Sequence, residues 1–510
     1  MNQNLVPPVT PRAPRVVPRS EHPVSRSDIS PNALRVLYRL KEAGFQAFLV
    51  GGCVRDIILG LHPKDFDVAT DALPEQVRRL FRNCRLVGRR FRLAHIVYGR
   101  EVIEVATFRA ASAPPPSEEP VPSREEDEAE LLEEEADVAE VDPLEATTPL
   151  DATQPLDMPD FEDAVRGAMG GADPKHRVHD DHGRLLRDNM YGSIDEDVWR
   201  RDFTVNALYY NIADFSIWDY VGGLADIQAR RLRLIGDVET RYREDPVRML
   251  RAARFEAKLG FEVDAASASP IASLRGLLAA VPPARLFDET GKLFLTGHGA
   301  ASFQVLRRRG LFAALFPAVD RYLEQHPGGL VEQLVQQGLR NTDTRVAEDK
   351  PVTPTFLFSL LLYGPIAAMI ETLPPERWHE PRAILEACDR ALRETQQRVS
   401  IPRRLALGVR EMYALQPRLE GPRGRRALRL LEQPRFRAAY DLLALRGALG
   451  LAAPEIAQWW GALQAANPDE REQMVAAAPA ARGGAATGAG TGTGTTSPRR
   501  RRRRRSRGGA

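Results

Sequence analysis

Lys64-Asp65-Phe66-Asp67 opens the run KDFDVAT, whose composition predicts a β-strand. On a strand, residues two apart share a face, so both carboxylates project together while Phe66 turns into the core. Paired carboxylates at a strand end suit a hard octahedral cation such as Mg²⁺, which takes oxygen ligands and shares its remaining positions with phosphate. Two such ions could activate an attacking hydroxyl and neutralise a leaving pyrophosphate in an in-line displacement. Upstream, Gly51-Gly52-Cys53-Val54-Arg55-Asp56 stands between an apolar strand and a helix. Consecutive glycines let backbone approach a triphosphate, and N–H groups at a helix start favour anions. The plain alternative is a tight strand–helix turn. Together, Gly-Gly-x-Val-Arg-Asp and an Asp-Phe-Asp nine residues later are far more specific than either part.

Further along, Arg200-Arg201-Asp202-Phe203-Thr204-Val205-Asn206 concentrates charge beside an apolar run, and Glu244-Asp245-Pro246-Val247-Arg248 opens a helix. Arg248, Arg251 and Arg254 recur at i, i+3 and i+6, so they can line one helix face toward an anion. The Asp245–Arg248 pair offers both acceptors and a planar donor fork, which is what reading a base edge requires. For a third acid there are two candidates. Asp202 is taken with Asp65 and Asp67 as an active-site acid, and Glu104, in EVIEVATF, as a supporting carboxylate. His176, His179 and His182 alternate with acids but adjoin an unstructured stretch, so they read as a solvated loop. His95 reads as structural, or near the nucleotide, rather than as a general base.

The elements that must hold these groups begin at Ser30-Pro31, a cap followed by proline at the first helical position. Apolar residues then recur at helical spacing up to Gly44. FQAFLV is a strand, VRDIILG a helix, KDFDVAT a strand, and DALPEQVRRLF a helix with Asp71 as its cap. LVGRRFRLAHIVYG and EVIEVATF follow as strands. This α-β-α-β-α-β-β order predicts an α/β or α+β head with a mixed sheet over residues 31–235. Residues 110–176 interrupt it with prolines and an acidic run, an insert too poor in large apolar residues to fold. From Glu239 helical periodicity dominates, predicting an all-α remainder up to about 478. Residues 1–30, basic and proline-rich, and 479–510, Gly/Thr-rich then arginine-rich, read as disordered.

The formal net charge of +2 hides segregation: 118–163 carries nineteen acids against Arg124, while Arg499–Arg505 and Arg507 end the chain. Without these segments about +12 remains, and a basic folded body points to a polyanion such as nucleic acid. Three scattered cysteines without Cys-x-x-Cys spacing fit a reducing, cytoplasmic compartment rather than disulfides or a zinc site. No signal peptide is legible. Residues 351–370 carry no charge, yet prolines and the Gly364-Pro365 pair break them. They are expected to be a buried core helix interrupted there, not a membrane span.

FLVGGCVRDIILGLHPKDFDVAT resembles the polymerase-β-like nucleotidyltransferase head shared by bacterial poly(A) polymerases and class II CCA-adding enzymes. The family's later motifs occur in the same order, as RRDFTVNAL from Arg200, DYVGGLAD from Asp219 and EDPVRMLRAARF from Glu244. The resemblance implies a template-independent enzyme acting on RNA 3′ ends, its elongated helical part divided into a nucleotide- and RNA-binding neck over 236–300 and an RNA-binding body over 301–478. It assigns Gly51, Gly52, Arg55, Asp56, Arg201 and Asn206 to nucleotide binding, with Asp245 and Arg248 reading the incoming base. LVGRRFRLAHI, PPARLFDETGKLFL, PTFLFSLLLY and FRAAYDLLALR resemble the polyadenylating branch, for which ATP is substrate, Mg²⁺ the cofactor and RNA-decay proteins the implied partners. CCA addition to transfer RNA is the alternative within the family. A catalytically dead RNA-binding relative is disfavoured by intact Asp65 and Asp67, and a DNA polymerase of the β type by the lack of a helix-hairpin-helix signal. RNA would be held by phosphate contacts in the helical part and the basic tail.

Overall fold

The computed structural model describes residues 13–88, 92–110, 178–179, 185–187, 191–421 and 424–477. The acidic run, the histidines at 176 and 182 and the arginine-rich terminus fall outside them. The described residues fall into two compact units, one drawn from Met1–Leu357 and Arg390–Pro402, the other from Phe358–Asp389 and Arg403–Ala510. The first unit therefore runs through both positions, near 235 and 300, where the sequence pattern suggested boundaries.

The first unit is built on an eight-stranded mixed sheet. Its strands are β1 (Arg15–Val17), β2 (Ala47–Val50), β3 (Asp67–Thr70), β4 (Cys84–Val87), β5 (Leu93–Tyr98), β6 (Glu101–Thr107), β9 (Leu208–Asn211) and β10 (Ile217–Asp219). They lie in the order β1-β10-β9-β2-β3-β6-β5-β4. A separate antiparallel pair, β7 (Val178–His179) and β8 (Leu185–Arg187), stands apart from the sheet. All four residues of β2 are buried, as expected of a central strand covered on both faces. One cover is α1 (Pro31–Glu42), which buries Ala33, Val36, Leu37 and Leu40, the i, i+3, i+4, i+7 stripe of an amphipathic helix. Ser30 caps it, its Oγ accepting from the Ala33 N–H at 3.0 Å.

Around the paired aspartates the local order is β2, α2 (Gly52–Ile58) and β3. Antiparallel pairing sets Asp67 opposite Val50, and the parallel β3–β6 register sets it beside Glu104. The sheet's next helix is α3 (Pro74–Leu80). Beyond the insert come α4 (Ile194–Arg200), a 3₁₀ turn at Thr204–Asn206, and α5 (Gly223–Gln228). Then α6 (Val238–Glu244) and α7 (Val247–Leu259) lead into the helical part, joined by α8 (Pro283–Phe294). The second unit's described residues are helical, packed around Leu419, Phe436, Ala439, Leu443 and Trp460.

Four details depart from the sequence reading. Residues 13–30 are ordered: β1 pairs with β10 at the sheet edge, and Val17, Val24 and Ile29 are buried. Asp71 does not cap α3, whose N-cap is Leu73; its Oδ1 accepts from the Gln46 N–H at 2.8 Å and ties two strand ends together. LVGRRFRLAHIVYG is not one strand, because it holds the end of β4 and the whole of β5, which pair antiparallel with each other. The apolar segment breaks at Leu362, with a 42° bend between Pro354–Leu361 and Tyr363–Glu371. Gly364 and Pro365 sit in the second helix's first turn, where proline's missing N–H is harmless. No single helix among the described residues is long and apolar enough to cross a membrane.

The Asp219-to-Asp226 motif is a latch rather than a ligand site. The Asp219 carboxylate accepts from the N–H groups of Val221, Gly222, Gly223 and Leu224 at 2.8–3.2 Å. Asp226, wholly buried, accepts from Thr204 Oγ1 at 2.7 Å and from Arg231 and Arg233. A Cβ on Gly223 would lie 2.3 Å from the Thr204 carbonyl oxygen, so only glycine lets α5 press against the Asp202-bearing segment. Gly223→Ala should destabilise the protein by about 2 kcal/mol or more in urea denaturation. A change under about 0.5 kcal/mol, ordinary for an unconstrained surface site, would show that this approach is not tight.

Candidate active site

Gly51 turns the chain from β2 into α2 at φ 84°, ψ −141°, a conformation open to glycine and strained for L side chains. A Cβ there would also lie 3.3 Å from Asp67 Oδ2, so the turn shapes the ground on which the carboxylate stands. Beneath it Cys53 gives its thiol to the Val50 carbonyl, and burial, helped by Asp67, pushes it up to about 12. It is a packing residue and no nucleophile.

Asp65 and Asp67 reach one cleft of about 1250 Å³, as do Gly51, Gly52, Arg55 and Asp56. β3 starts only at Asp67, and exposed Asp65 lies in the bend before it, so they share the cleft without sharing a strand face. Glu104 is exposed beside Asp67 on β6, outside the cleft lining, with His95 Nε2 3.7 Å away. Burial raises the Asp67 carboxyl to about 6; Glu104 and Asp65 push the same way, against Arg201 and Arg251. Among the described residues no three acid, His or Cys side chains already converge as a metal cage. The donor set is nevertheless all oxygen, and the mutual repulsion at Asp67 is what a divalent cation would relieve, so the residues fit Mg²⁺.

Facing this acidic edge is a wall of paired charges. Asp202 accepts from Arg251 Nε at 2.7 Å, the Phe203 N–H at 2.7 Å and Asn206 Nδ2 at 3.2 Å. Burial alone would raise its carboxyl, but Arg251 and these hydrogen bonds hold it well below the usual carboxylate range. Asn206 accepts in turn from buried Arg55, whose Nε and other terminal nitrogen donate to Asp56 at 2.8 and 2.6 Å. The guanidinium groups of Arg55, Arg251 and Arg254 all lie over the Phe255 ring, at 5.3, 5.4 and 4.7 Å. Asp202 is therefore spoken for, a positioning group in the wall, while Glu104 is the acid whose charge acts most directly on Asp67. Arg201 is likewise committed, its guanidinium bonded to Asp197 at 3.0 Å and to the Tyr209 hydroxyl at 2.6 Å.

Asp245 and Arg248 line the same cleft, and each side chain is held by a further residue. Arg285 clamps Asp245 through two bonds of 2.9 and 2.8 Å. Arg248 donates to the Arg241 carbonyl at 2.6 Å and to Glu244 at 3.1 Å. Arg241 also bonds the carbonyl oxygens of Arg200 and Arg201, at 2.7 Å each, tying α6 to the Asp202 segment. Arg254 stands 4.0 Å from buried Glu289, and Arg254 Nε and Glu289 Oε2 find no hydrogen-bond partner.

Sequence reasoning missed Arg285, Glu289, Lys292, Glu244, Arg241, Lys258 and the Phe255 platform. A signal existed for α8: Arg285, Glu289 and Lys292 fall at i, i+4 and i+7, and Leu286, Leu293 and Phe294 are its buried apolar residues.

Three family models match the chain: "Poly A polymerase head domain" over 47–233, "Probable RNA and SrmB- binding site of polymerase A" over 260–323, and "Polymerase A arginine-rich C-terminus" over 376–507. The "Poly(A) polymerase I" of Escherichia coli O157:H7 is 44% identical over 465 residues, 90% of this chain and 88% of that one. Its counterpart in Haemophilus influenzae is 40% identical over 465 residues, 90% of each chain. A "CCA-adding enzyme" of Lactobacillus helveticus is 28% identical over 278 residues, 54% of this chain and 53% of that one. The solved structure of a "tRNA-processing enzyme (apo form 2)" aligns with a TM-score of 0.49 at 19% identity, over 86% of this chain and 98% of that one.

Because Asp67 titrates near 6 when folded and near 3.8 as a free carboxyl, the folded protein holds a proton the unfolded chain has lost between those values. Stability therefore falls as pH rises through that window. Asp67→Asn should remove this slope and stabilise the metal-free protein by roughly 1–2 kcal/mol above pH 6. Asp202→Asn should instead cost roughly 1–3 kcal/mol, since it leaves partly buried Arg251 without its carboxylate. Urea denaturation at pH 5 and 7.5 measures both. A destabilising Asp67→Asn at pH 7.5, or a neutral Asp202→Asn, would overturn this division of roles.

Proposed function

From the premise that the chain belongs to the bacterial poly(A) polymerase family, we propose that its cleft transfers AMP from ATP to the 3′ ends of RNA. The chemistry is carried by one observation: a repelling carboxylate edge faces a rigid, charge-paired wall across a single cleft. The reaction forms a bond between the RNA 3′ oxygen and the α-phosphorus of ATP, breaks the bond to the β-phosphate and releases pyrophosphate.

Mg²⁺ ions held by Asp65 and Asp67, with Glu104 in support, would supply Lewis-acid stabilisation of the charge that develops in such a transfer. This chain's own residues do the rest. Gly51 and Gly52 leave room for phosphates to approach the backbone beside Asp67. Asn206 and Arg251, fixed by Asp202, stand where the sugar and phosphates would lie. Asp245 and Arg248, held by Arg285 and Glu244, present an acceptor and a donor fork to the base. Preorganised dipoles and charges of this kind need no rearrangement as the reaction proceeds.

The setting we infer is the reducing cytoplasm, consistent with three free cysteines, two of them buried. RNA-decay proteins are the partners this activity implies. CCA addition is not favoured, since the CCA-adding relative matches only about half of the chain.

The test offers purified protein each nucleoside triphosphate singly, with a generic RNA and with a transfer RNA lacking its CCA end. Long A-tails on the generic RNA, with no stop after three additions, are expected. A ladder ending at CCA on transfer RNA, with other RNA left alone, would overturn the polyadenylation reading. In the same assay Asp65→Asn and Asp67→Asn should each leave less than about a tenth of the activity while RNA binding persists. Higher retention at saturating Mg²⁺ would remove that residue from the metal site.

A further inference from the structure

Where α8 runs beside α7 the cleft wall changes character along its length. At one end Arg285 meets Asp245, and midway Glu289 meets Arg254, so the two helices run alongside in the same direction. Near the reacting carboxylates each guanidinium is matched: Arg251 to Asp202, Arg55 to Asp56, Arg248 to Glu244, Arg285 to Asp245. Farther along both helices the matching fails. Lys258 Nζ is 3.5 Å from Asp56 Oδ2, a carboxylate whose other oxygen Arg55 already occupies. Lys292 Nζ is 3.1 Å from Glu289 Oε1, and Arg254 shares that same carboxylate at 4.0 Å with its buried Nε unbonded. Exposed Asp288 is the other acid in this part of the lining, so positive charge is in excess.

Resting on the adenylate-transfer reading, we infer that Lys258 and Lys292, backed by Arg254, form the subsite for the phosphate backbone of the RNA primer. Three properties favour the primer over the triphosphate. The two lysine side chains are 35% and 51% exposed, at a place a polymer can reach from solvent and leave partly wet. Lysine is a flexible point charge that holds phosphate without a fixed fork, which suits a chain that moves on by one nucleotide after each addition. The present partners are shared, Asp56 with Arg55 at 2.6 Å and Glu289 with Arg254 at 4.0 Å, so each carboxylate keeps a guanidinium beside it when a lysine turns to phosphate. By contrast, the matched arginines beside Asp67 suit a small substrate bound in one pose.

Lys258→Met and Lys292→Met keep the aliphatic stems and remove the charges. The double variant should raise KM for an oligoadenylate primer roughly tenfold. It should also flatten the dependence of log KM on log salt by about 1 to 2, near 0.7 for each single-strand phosphate that a lysine no longer neutralises. KM for ATP should stay within twofold, and the double Lys→Arg variant should restore primer binding. Lys292→Met alone, at an exposed position, gives the same reading in weaker form if the double variant melts early. An unchanged primer KM overturns the inference, as does an ATP KM that rises as much as the primer KM. Wild-type protein that adds no A to RNA in this assay would instead sink the adenylate-transfer reading itself.

Discussion

Asp202 exposes only 11% of its side chain, and almost every part of the site reaches another through it. Arg251 grips it from α7, Asn206 and the Phe203 N–H grip it from the 3₁₀ turn and its entry, and Asn206 passes the connection to Arg55 on α2. The sheet-borne half of the cleft is thereby bonded to its helical half through Arg55, Asn206, Asp202 and Arg251. Breaking one member of such a chain leaves a buried charge uncompensated, at a cost of about 3–5 kcal/mol. Phe255 gives the three guanidinium groups a common apolar face, which arginine, planar and weakly hydrated, tolerates far better than lysine would.

This chain of bonds also explains why the two sides of the cleft differ electrostatically. Positive groups near the centre are neutralised in place and cannot swing. The acidic edge is left in mutual repulsion, with Asp67 raised to about 6. The cation proposed for this edge would relieve that repulsion, the usual exchange of fold stability for function.

The sequence revealed most of what is local. An apolar run of four residues, a double glycine and an acid two residues from another were enough to place β2, α2 and Asp67. They did not show that β3 begins at Asp67. Pro63 can donate no ladder hydrogen bond, and exposed Lys64 and Asp65 have no face to bury, so pairing starts late. The order of residues 13–30 was hidden for a different reason. Val17 is buried where β1 pairs with β10, about two hundred positions away, and no local pattern announces such a pairing. The same limit hid Arg285, whose partner Asp245 is 40 residues distant on another element.

That distant clamp bears on the base reading proposed for Asp245 and Arg248. An Asp–Arg reader free to turn could meet adenine or cytosine, and the residue types at 245 and 248 leave both open. Here each reader is held from behind. Arg285 occupies one lone-pair site on each oxygen of Asp245, and Arg248 spends one terminal nitrogen on Glu244 and the Arg241 carbonyl. A carboxylate has further lone pairs and a guanidinium further N–H groups, so both can still bind, but only in the direction left open. Re-aiming either would break partly buried, charge-assisted bonds at every change of base. A reader fixed in this way favours a single base edge, and an enzyme that adds the same nucleotide many times has no need to move it.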